Sequence, residues 1–245
     1  MRVLTTCSAV KSADPRPALM ARNLGFGRIG AVSAQWSDRL AGAEVDLPAA
    51  DLYAGRGFGH AHAAAGGHPW IASAGLGLLA PSVAVPSYGA TVAAGPEDDV
   101  FRRIDGARDP AAWWRGLRSS PFASPVPDLF DGAGPVLAAL SAPYLAMLAD
   151  DLAELPPADL DRLRIFTATA PHAVDPRLRE FVMPCDRVRQ EEVGAYRGVV
   201  ADYAQRALRH FAETILPFAP DASFEEHADM MAGRSSPTPS GFAPR

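Results

Sequence analysis

Lysine is all but missing from this chain of 245 residues. Of its 23 basic side chains only Lys11 is a lysine, and the other 22 are arginines. Cysteine is nearly as scarce. Cys7 and Cys185 are too few to form the disulfide framework of a small secreted domain. No apolar run approaches the ~18 residues of a membrane span, and the opening "MRVLTTCS" is too short and too polar for a signal peptide. The expectation is a cytoplasmic protein with no membrane partner. An excess of positive charge is also absent. With a formal charge of −5, the surface as a whole is not that of a polyanion binder, so any nucleic-acid contact must come from a local arginine patch.

What is present suits one ordinary domain: 48% hydrophobic residues over this length can bury a sizeable core. Abundant Ala, Gly, Pro and Arg are what a GC-rich coding bias produces. Such a bias exchanges exposed lysines for arginine at little cost, but not where a compact ammonium, or an amine able to lose its proton, is required. Lys11 is therefore a chance survivor or a functional residue, and its position favours function.

That position follows a candidate strand. "RVLTT" (2–6), "PWIASAG" (69–75), "PVLAAL" (135–140), "LRIFTATA" (163–170) and "REFVMPC" (179–185) read as five short apolar strands. Helical patterns separate several of them. "SAPYLAMLADDLAEL" (141–155) has Ser141 to cap it, Pro143 in its first turn and a stop at Pro156 and Pro157. A last helix, roughly 190–215, carries Val193, Tyr196, Val200, Tyr203, Ala204, Leu208 and Phe211 at helical spacing. The expected fold is α/β: a central, mostly parallel sheet of four to five strands with helices on both faces. It spans about 1–220, with a helical insertion at about 97–130. A C-terminal extension, 221–245, is expected to be disordered from about 233, where it becomes Pro/Ser-rich.

In such sheets ligands bind beyond the carboxyl ends of the strands. The residues expected there are Cys7, Ser8 and Lys11 after the first strand, Ser73 after the second, Ser141 after the third, Thr167 and Thr169 after the fourth, and Cys185, Asp186 and Arg187 after the fifth. Other signals are weaker. His60, His62 and His68 in "GHAHAAAGGH" lack ligand spacing on a helix, so no metal is expected. "GFGRIG" and "AGRGFG" do not sit between a strand and a helix as dinucleotide-binding glycines must. No cofactor is expected.

"TCSAVKS", "ADLYAGRGF" and "PWIASAGLGLLAPSVAVPSYGATV" together resemble a Cys-Ser-x-x-Lys branch of the uracil-DNA-glycosylase-like superfamily. Similar patterns occur in peroxide-stress-type bacterial proteins and in the archaeosine synthase domain with its Pro-Cys-Ser-x-x-Lys-Pro-Tyr motif. The resemblance covers about residues 2–92 and aligns Cys7, Ser8, Lys11, Asp51 and Tyr53. The chain departs from the pattern at Thr6, where that motif has proline, and at "SADP" after the lysine. It departs again at "AGLGLL", where Ala-Lys-His-Gly-Leu is usual.

The resemblance implies a uracil-DNA-glycosylase-like fold and a glycosylase that removes a modified base from DNA. Glucosylated hydroxymethylcytosine of phage DNA is the most attractive substrate, in an antiviral role. A transferase acting on 7-deazaguanine or a related nucleoside, and a non-catalytic DNA-binding stress protein, are the alternatives.

Glycosidic cleavage passes through an oxocarbenium-like sugar. A carboxylate can stabilise that cation and orient water, while donors neutralise charge on the leaving base. Asp51 and Asp186 are the candidate acids. Lys11 is a candidate donor, with nucleophilic attack the second option. Cys7, Ser8, Ser73 and Arg187 are candidate substrate contacts, and Tyr53 and Tyr88 candidate stacking walls for an extruded base. Trp113 and Trp114, among Arg102, Arg103, Arg108, Arg115 and Arg118, suit a strand-gripping lobe. The same segment also reads as a small helical lid, with Asp109 as cap, whose tryptophans pack on the sheet. DNA is the expected partner, and nothing points to an obligate protein partner.

Overall fold

The structure is a computed structural model that describes residues 1–185 and 198–235. The described residues form seven short strands: β1 (Arg2–Thr6), β2 (Leu47–Pro48), β3 (Trp70–Ser73), β4 (Gly77–Leu79), β5 (Ala84–Val85), β6 (Val136–Ala139) and β7 (Leu163–Phe166). The described α-helices are α1 (Ile29–Ala41), α2 (Ala49–Leu52), α3 (Arg56–Ala64), α4 (Pro110–Leu117), α5 (Ala142–Ala153), α6 (Pro157–Leu160), α7 (Tyr203–Thr214) and α8 (Phe224–Met231). Five strands form one sheet in the order β4-β3-β1-β6-β7, and β2 pairs with β5 in a separate ribbon. β3, β1, β6 and β7 are mutually parallel, with β4 antiparallel at one edge. The fold is thus the α/β sheet expected.

Both faces of the sheet are covered, and the side chains of β1 and β6 divide between them with the period of two that a pleated strand imposes. Leu4, Val136 and Ala138 join the larger core with α1, α4 and α5. Val3, Leu137 and Ala139 join a second core with Leu208 and Phe211 of α7 and Ala61 of α3.

The chain leaves β1 towards β3 on one side and later fills β6 and β7 on the other. The winding therefore reverses between β1 and β6, and that switch point at the carboxyl edge is where α/β sheets leave a crevice.

Two elements differ from the sequence reading. The 179–185 segment is no strand. Asp175 accepts from the N–H of Arg177 and starts a 3-10 turn at Pro176–Phe181, and only Val182 makes a bridge, to Ile165. The fifth strand is β4 instead, turned back on β3 through "AGLG" with Gly77 at φ +89°. The last long helix begins only at Tyr203, after a 3-10 turn at Val200–Asp202. Val193 and Tyr196 lie outside the described residues. Within the C-terminal extension, α8 has a full capping box between Ser223 and Glu226 and buries Met231 in the second core.

Candidate functional site

The end of β1 organises the carboxyl edge. Cys7 continues the pairing to β3 through its N–H and the Ala72 carbonyl, 2.9 Å, and its Sγ lies 3.0 Å from the Tyr144 hydroxyl. Tyr144 sits in the first turn of α5, just after β6, so this contact spans the switch point. Burial, then the nearby Cys7 sulfur, pushes the Tyr144 hydroxyl upward in pKa, which keeps it a protonated donor. Ser141 occupies the N-cap position of α5 without capping through its side chain.

Beyond Cys7 the chain zips antiparallel onto the 51–54 segment. Lys11 bridges to Tyr53, Ser12 N–H donates to Leu52 O at 2.8 Å, and Ala54 N–H donates to Val10 O at 3.0 Å. This register lays the Lys11 ammonium over two aromatic faces, 4.5 Å from the Tyr88 centroid and 5.7 Å from that of Tyr53. Its Nζ donates to Ser8 O at 3.2 Å. Beneath it the Tyr53 and Tyr88 hydroxyls are 3.1 Å apart, and Ser73 Oγ lies 2.6 Å from that of Tyr88. Burial pushes both phenols above their ordinary range, so the floor under the cation is a pair of neutral rings. Burial also lowers the Lys11 pKa, opposed by Cys7 and Asp98.

The same geometry corrects three expectations. Tyr53, Tyr88 and Ser73 are buried and hydrogen-bonded to one another, so they do not stand as walls around an extruded base. They are the platform of Lys11. Asp51 is exposed, not the buried carboxylate expected, and its backbone carbonyl accepts from Ser12 Oγ. Asp186 and Arg187 lie outside the described residues.

On the other side of Cys7 and Ser8 a recess of about 250 Å³ opens at the carboxyl edge, lined also by Arg56, Gly57, Asp202 and Gln205. Asp202, at the start of α7, is a carboxylate only 3% exposed. Its Oδ1 accepts from Arg206 Nε at 2.7 Å. Its Oδ2 is 2.5 Å from Arg56 Nε but off the hydrogen-bond axis, so that oxygen takes no hydrogen bond. Gln205 donates through Nε2 to Thr5 and Thr6 Oγ1 at 3.5 and 3.4 Å, and its Oε1 is buried without a partner.

A hollow of about 580 Å³ lies at the end of β7, between Thr167, Thr169, Cys185 and Tyr203. Burial pushes the Cys185 thiol up to about 12, far from a nucleophile's range. A cleft of about 400 Å³ lies beside Trp114, Leu78 and Leu155, where Asp151 is held by Trp114 Nε1 and Arg118.

The arginine–tryptophan segment is a packed lid. Asp109 caps α4 by accepting from Ala112 N–H, with Pro110 at the first position. Trp113 is fully buried and donates to Ala74 O at 2.8 Å, while Trp114 donates to Asp151 at 2.7 Å. Arg115 and Arg118 pair with Asp150 and Asp151, and Arg108 with the buried Asp99. The expected roles of Trp113 and Trp114 as wedges, and of Arg115 and Arg118 as a free grip on DNA, are therefore not what this packing provides. No group of three His, Cys, Asp or Glu side chains among the described residues is placed to hold a metal, and no described helix is long and apolar enough to cross a membrane.

Sequence reasoning identified Cys7, Ser8 and Lys11 but missed Tyr144, Arg56, Asp202 and Gln205. Asp202 and Arg206 stand at i and i+4, the spacing of any solvated helical ion pair, and only the sheet brings them to residue 7. No family model, no curated protein and no solved structure matches this chain, so its function is read from the fold and these side chains.

Proposed function

We propose that the protein hydrolyses the N-glycosidic bond of a modified base in DNA, with Asp202 in the role that sequence reasoning gave to Asp51 or Asp186. The observation that carries this reading is the Asp202 carboxylate, buried beside the carboxyl end of β1 with Oδ2 taking no hydrogen bond. Arg206 and Arg56 pair with it, which leaves Oδ2 as the oxygen that a water would meet once substrate displaces Arg56.

In the reaction the N–C1′ bond breaks and its electron pair leaves with the base. The sugar becomes oxocarbenium-like beside the carboxylate, and water adds to C1′ as its proton passes to Asp202. Lys11, whose ammonium sits just across Ser8, supplies positive charge towards the departing base. The resemblance of residues 2–92 to the Cys-Ser-x-x-Lys branch supports the same chemistry and, with it, a phage hypermodified pyrimidine such as glucosylated hydroxymethylcytosine.

One observation favours a second reading. With Arg108, Arg115 and Arg118 each paired to an aspartate, the arginine–tryptophan segment has less free charge to offer a duplex, which suits a free nucleoside or nucleotide. Incubation with unmodified DNA, hypermodified phage DNA and the matching nucleosides separates the two. Alkali-labile abasic sites in the modified DNA alone support the glycosylase, and base release from nucleosides alone supports the second reading. Tight DNA binding without abasic sites leaves a non-catalytic binder.

A further inference from the structure

The first turn of α3 faces the recess uncapped. Gly55 holds the N-cap position at φ +98°, a conformation that glycine adopts freely, and no side chain caps the helix. The first intrahelical bond runs from Gly59 N–H to Gly55 O, which leaves the N–H groups of Arg56, Gly57 and Phe58 as the unsatisfied donors of a helix start. All three residues line the recess, and the positive end of the helix dipole points the same way.

A second, independent feature faces this turn. Gln205 is 7% exposed, and its buried Oε1 has no partner. A Cβ added at Gly57 would stand 3.6 Å from that oxygen and 3.4 Å from Asp202 Cβ, so the missing side chain of Gly57 keeps open the space between helix turn and amide. Carboxamide oxygen and nitrogen are assigned from their neighbours. Turned over, Oε1 accepts from the Thr5 and Thr6 hydroxyls and Nε2 becomes a donor into the recess. In either orientation one end of a buried amide lacks a partner, and the turned-over one offers a donor that an anion would satisfy. Arg56, its side chain 57% exposed, adds outer N–H groups at the rim. Among the described residues the one acid lining the recess, Asp202, is already paired with Arg206 and Arg56.

We propose that this recess is a phosphate subsite, in which the N–H groups of Arg56–Phe58, the Arg56 guanidinium and the Gln205 carboxamide bind one phosphate group. Assigning that group to a substrate nucleotide rests on the glycosidic reading, whereas the anion site itself does not. A monoester of a mononucleotide and a diester of a DNA strand share this chemistry, and the titration distinguishes them.

The test is titration of the full chain with inorganic phosphate, a nucleoside 5′-monophosphate and a short oligonucleotide, read by amide resonances and by melting temperature. Phosphate is expected to shift the amide signals of residues 56–58 and raise the melting temperature. The tighter of the two nucleotide ligands identifies the source. Arg56→Gln should weaken binding about tenfold.

Gly57→Ala meets only ordinary contacts and favours helix, so it should fold as well as the wild type yet fill the cradle and abolish the shifts. Gln205→Leu removes the amide together with its contacts to Thr5 and Thr6 and should weaken phosphate binding more than it lowers the melting temperature of the ligand-free protein. A stability loss in Gln205→Leu with phosphate binding intact would show a structural amide and overturn the proposal. So would shifts that map away from residues 56–58, or none.

The two proposals fail separately. Phosphate binding at α3 without base release from any substrate keeps the subsite and removes the glycosylase. Base release with KM and kcat unchanged in Gly57→Ala, whose amide is free of the Asp202 ion pairs, does the reverse.

Discussion

Lys11 shows at the scale of one residue why a chain otherwise stripped of lysine keeps one. Its ammonium has a single hydrogen-bond acceptor, Ser8 O, and two neutral aromatic faces. A compact head with three rotatable donors reaches Ser8 O from above the rings, whereas the longer, planar guanidinium would have to take a different position to keep both contacts. A cation over such faces is worth about 0.5–2 kcal/mol. Lys11→Arg and Lys11→Ala are therefore both expected to lose activity, and Lys11→Ala to lose stability of that order in denaturant titration. No covalent adduct with DNA should form on borohydride reduction, because the proposed reaction uses Lys11 as a charge and not as a Schiff-base nucleophile. Wild-type activity in Lys11→Arg would make the lysine a drift survivor. The residue was legible because scarcity and position after β1 both marked it. Asp202 was not, since the sequence gives it the look of an exposed helical acid and its burial comes from α3 and β1, about 150 and 200 residues away along the chain.

Among the elements, strands and helices with strong patterns were legible, while those set by turn chemistry were not. β1, β3, β6 and β7 follow their apolar runs. The 179–185 run was diverted by Asp175-Pro176, a start signal for a helical turn that outweighs β-prone Phe181 and Val182. The tryptophan helix had two readings in sequence, and burial decides between them.

Trp113→Ala should cost about 3–5 kcal/mol of stability, read from urea unfolding, and should leave DNA affinity unchanged. Weakened DNA binding at unchanged stability would restore the wedge. The docking of α8 carries a pH dependence. His227 donates through Nε2 to Ala219 O and accepts through Nδ1 from Arg164 Nε, so its ring is neutral. Burial first, then Arg164, outweighs the Ala219 hydrogen bond and holds its pKa below 6.5. Between that lowered value and about 6.5 the unfolded chain binds the extra proton, so stability is full above the window and lost as pH falls through it. His60 and His210 are lowered in the same direction. Urea midpoints should fall on acidification below about 6.5, and His227→Gln should flatten the slope. An unchanged midpoint across that window would contradict the packing described for α8.

For the whole molecule, two cores lie on the two faces of one sheet, and the winding reversal between β1 and β6 leaves the carboxyl edge open. At that edge the Lys11 platform and the Asp202 recess meet at Cys7 and Ser8, so a cation and a buried carboxylate flank one strand end, which is the arrangement the proposed reaction uses. The most direct test is single-turnover base release from glucosylated hydroxymethylcytosine DNA, measured for the wild type, Asp202→Asn and Asp51→Asn, with folding checked by melting. The wild type should release the base. Asp202→Asn should fall by roughly two to four orders of magnitude, the scale of a lost acid–base or electrostatic group, while the exposed Asp51→Asn stays near wild type. Undiminished release by a folded Asp202→Asn, or its collapse in Asp51→Asn instead, would contradict the placement of the chemistry in this recess.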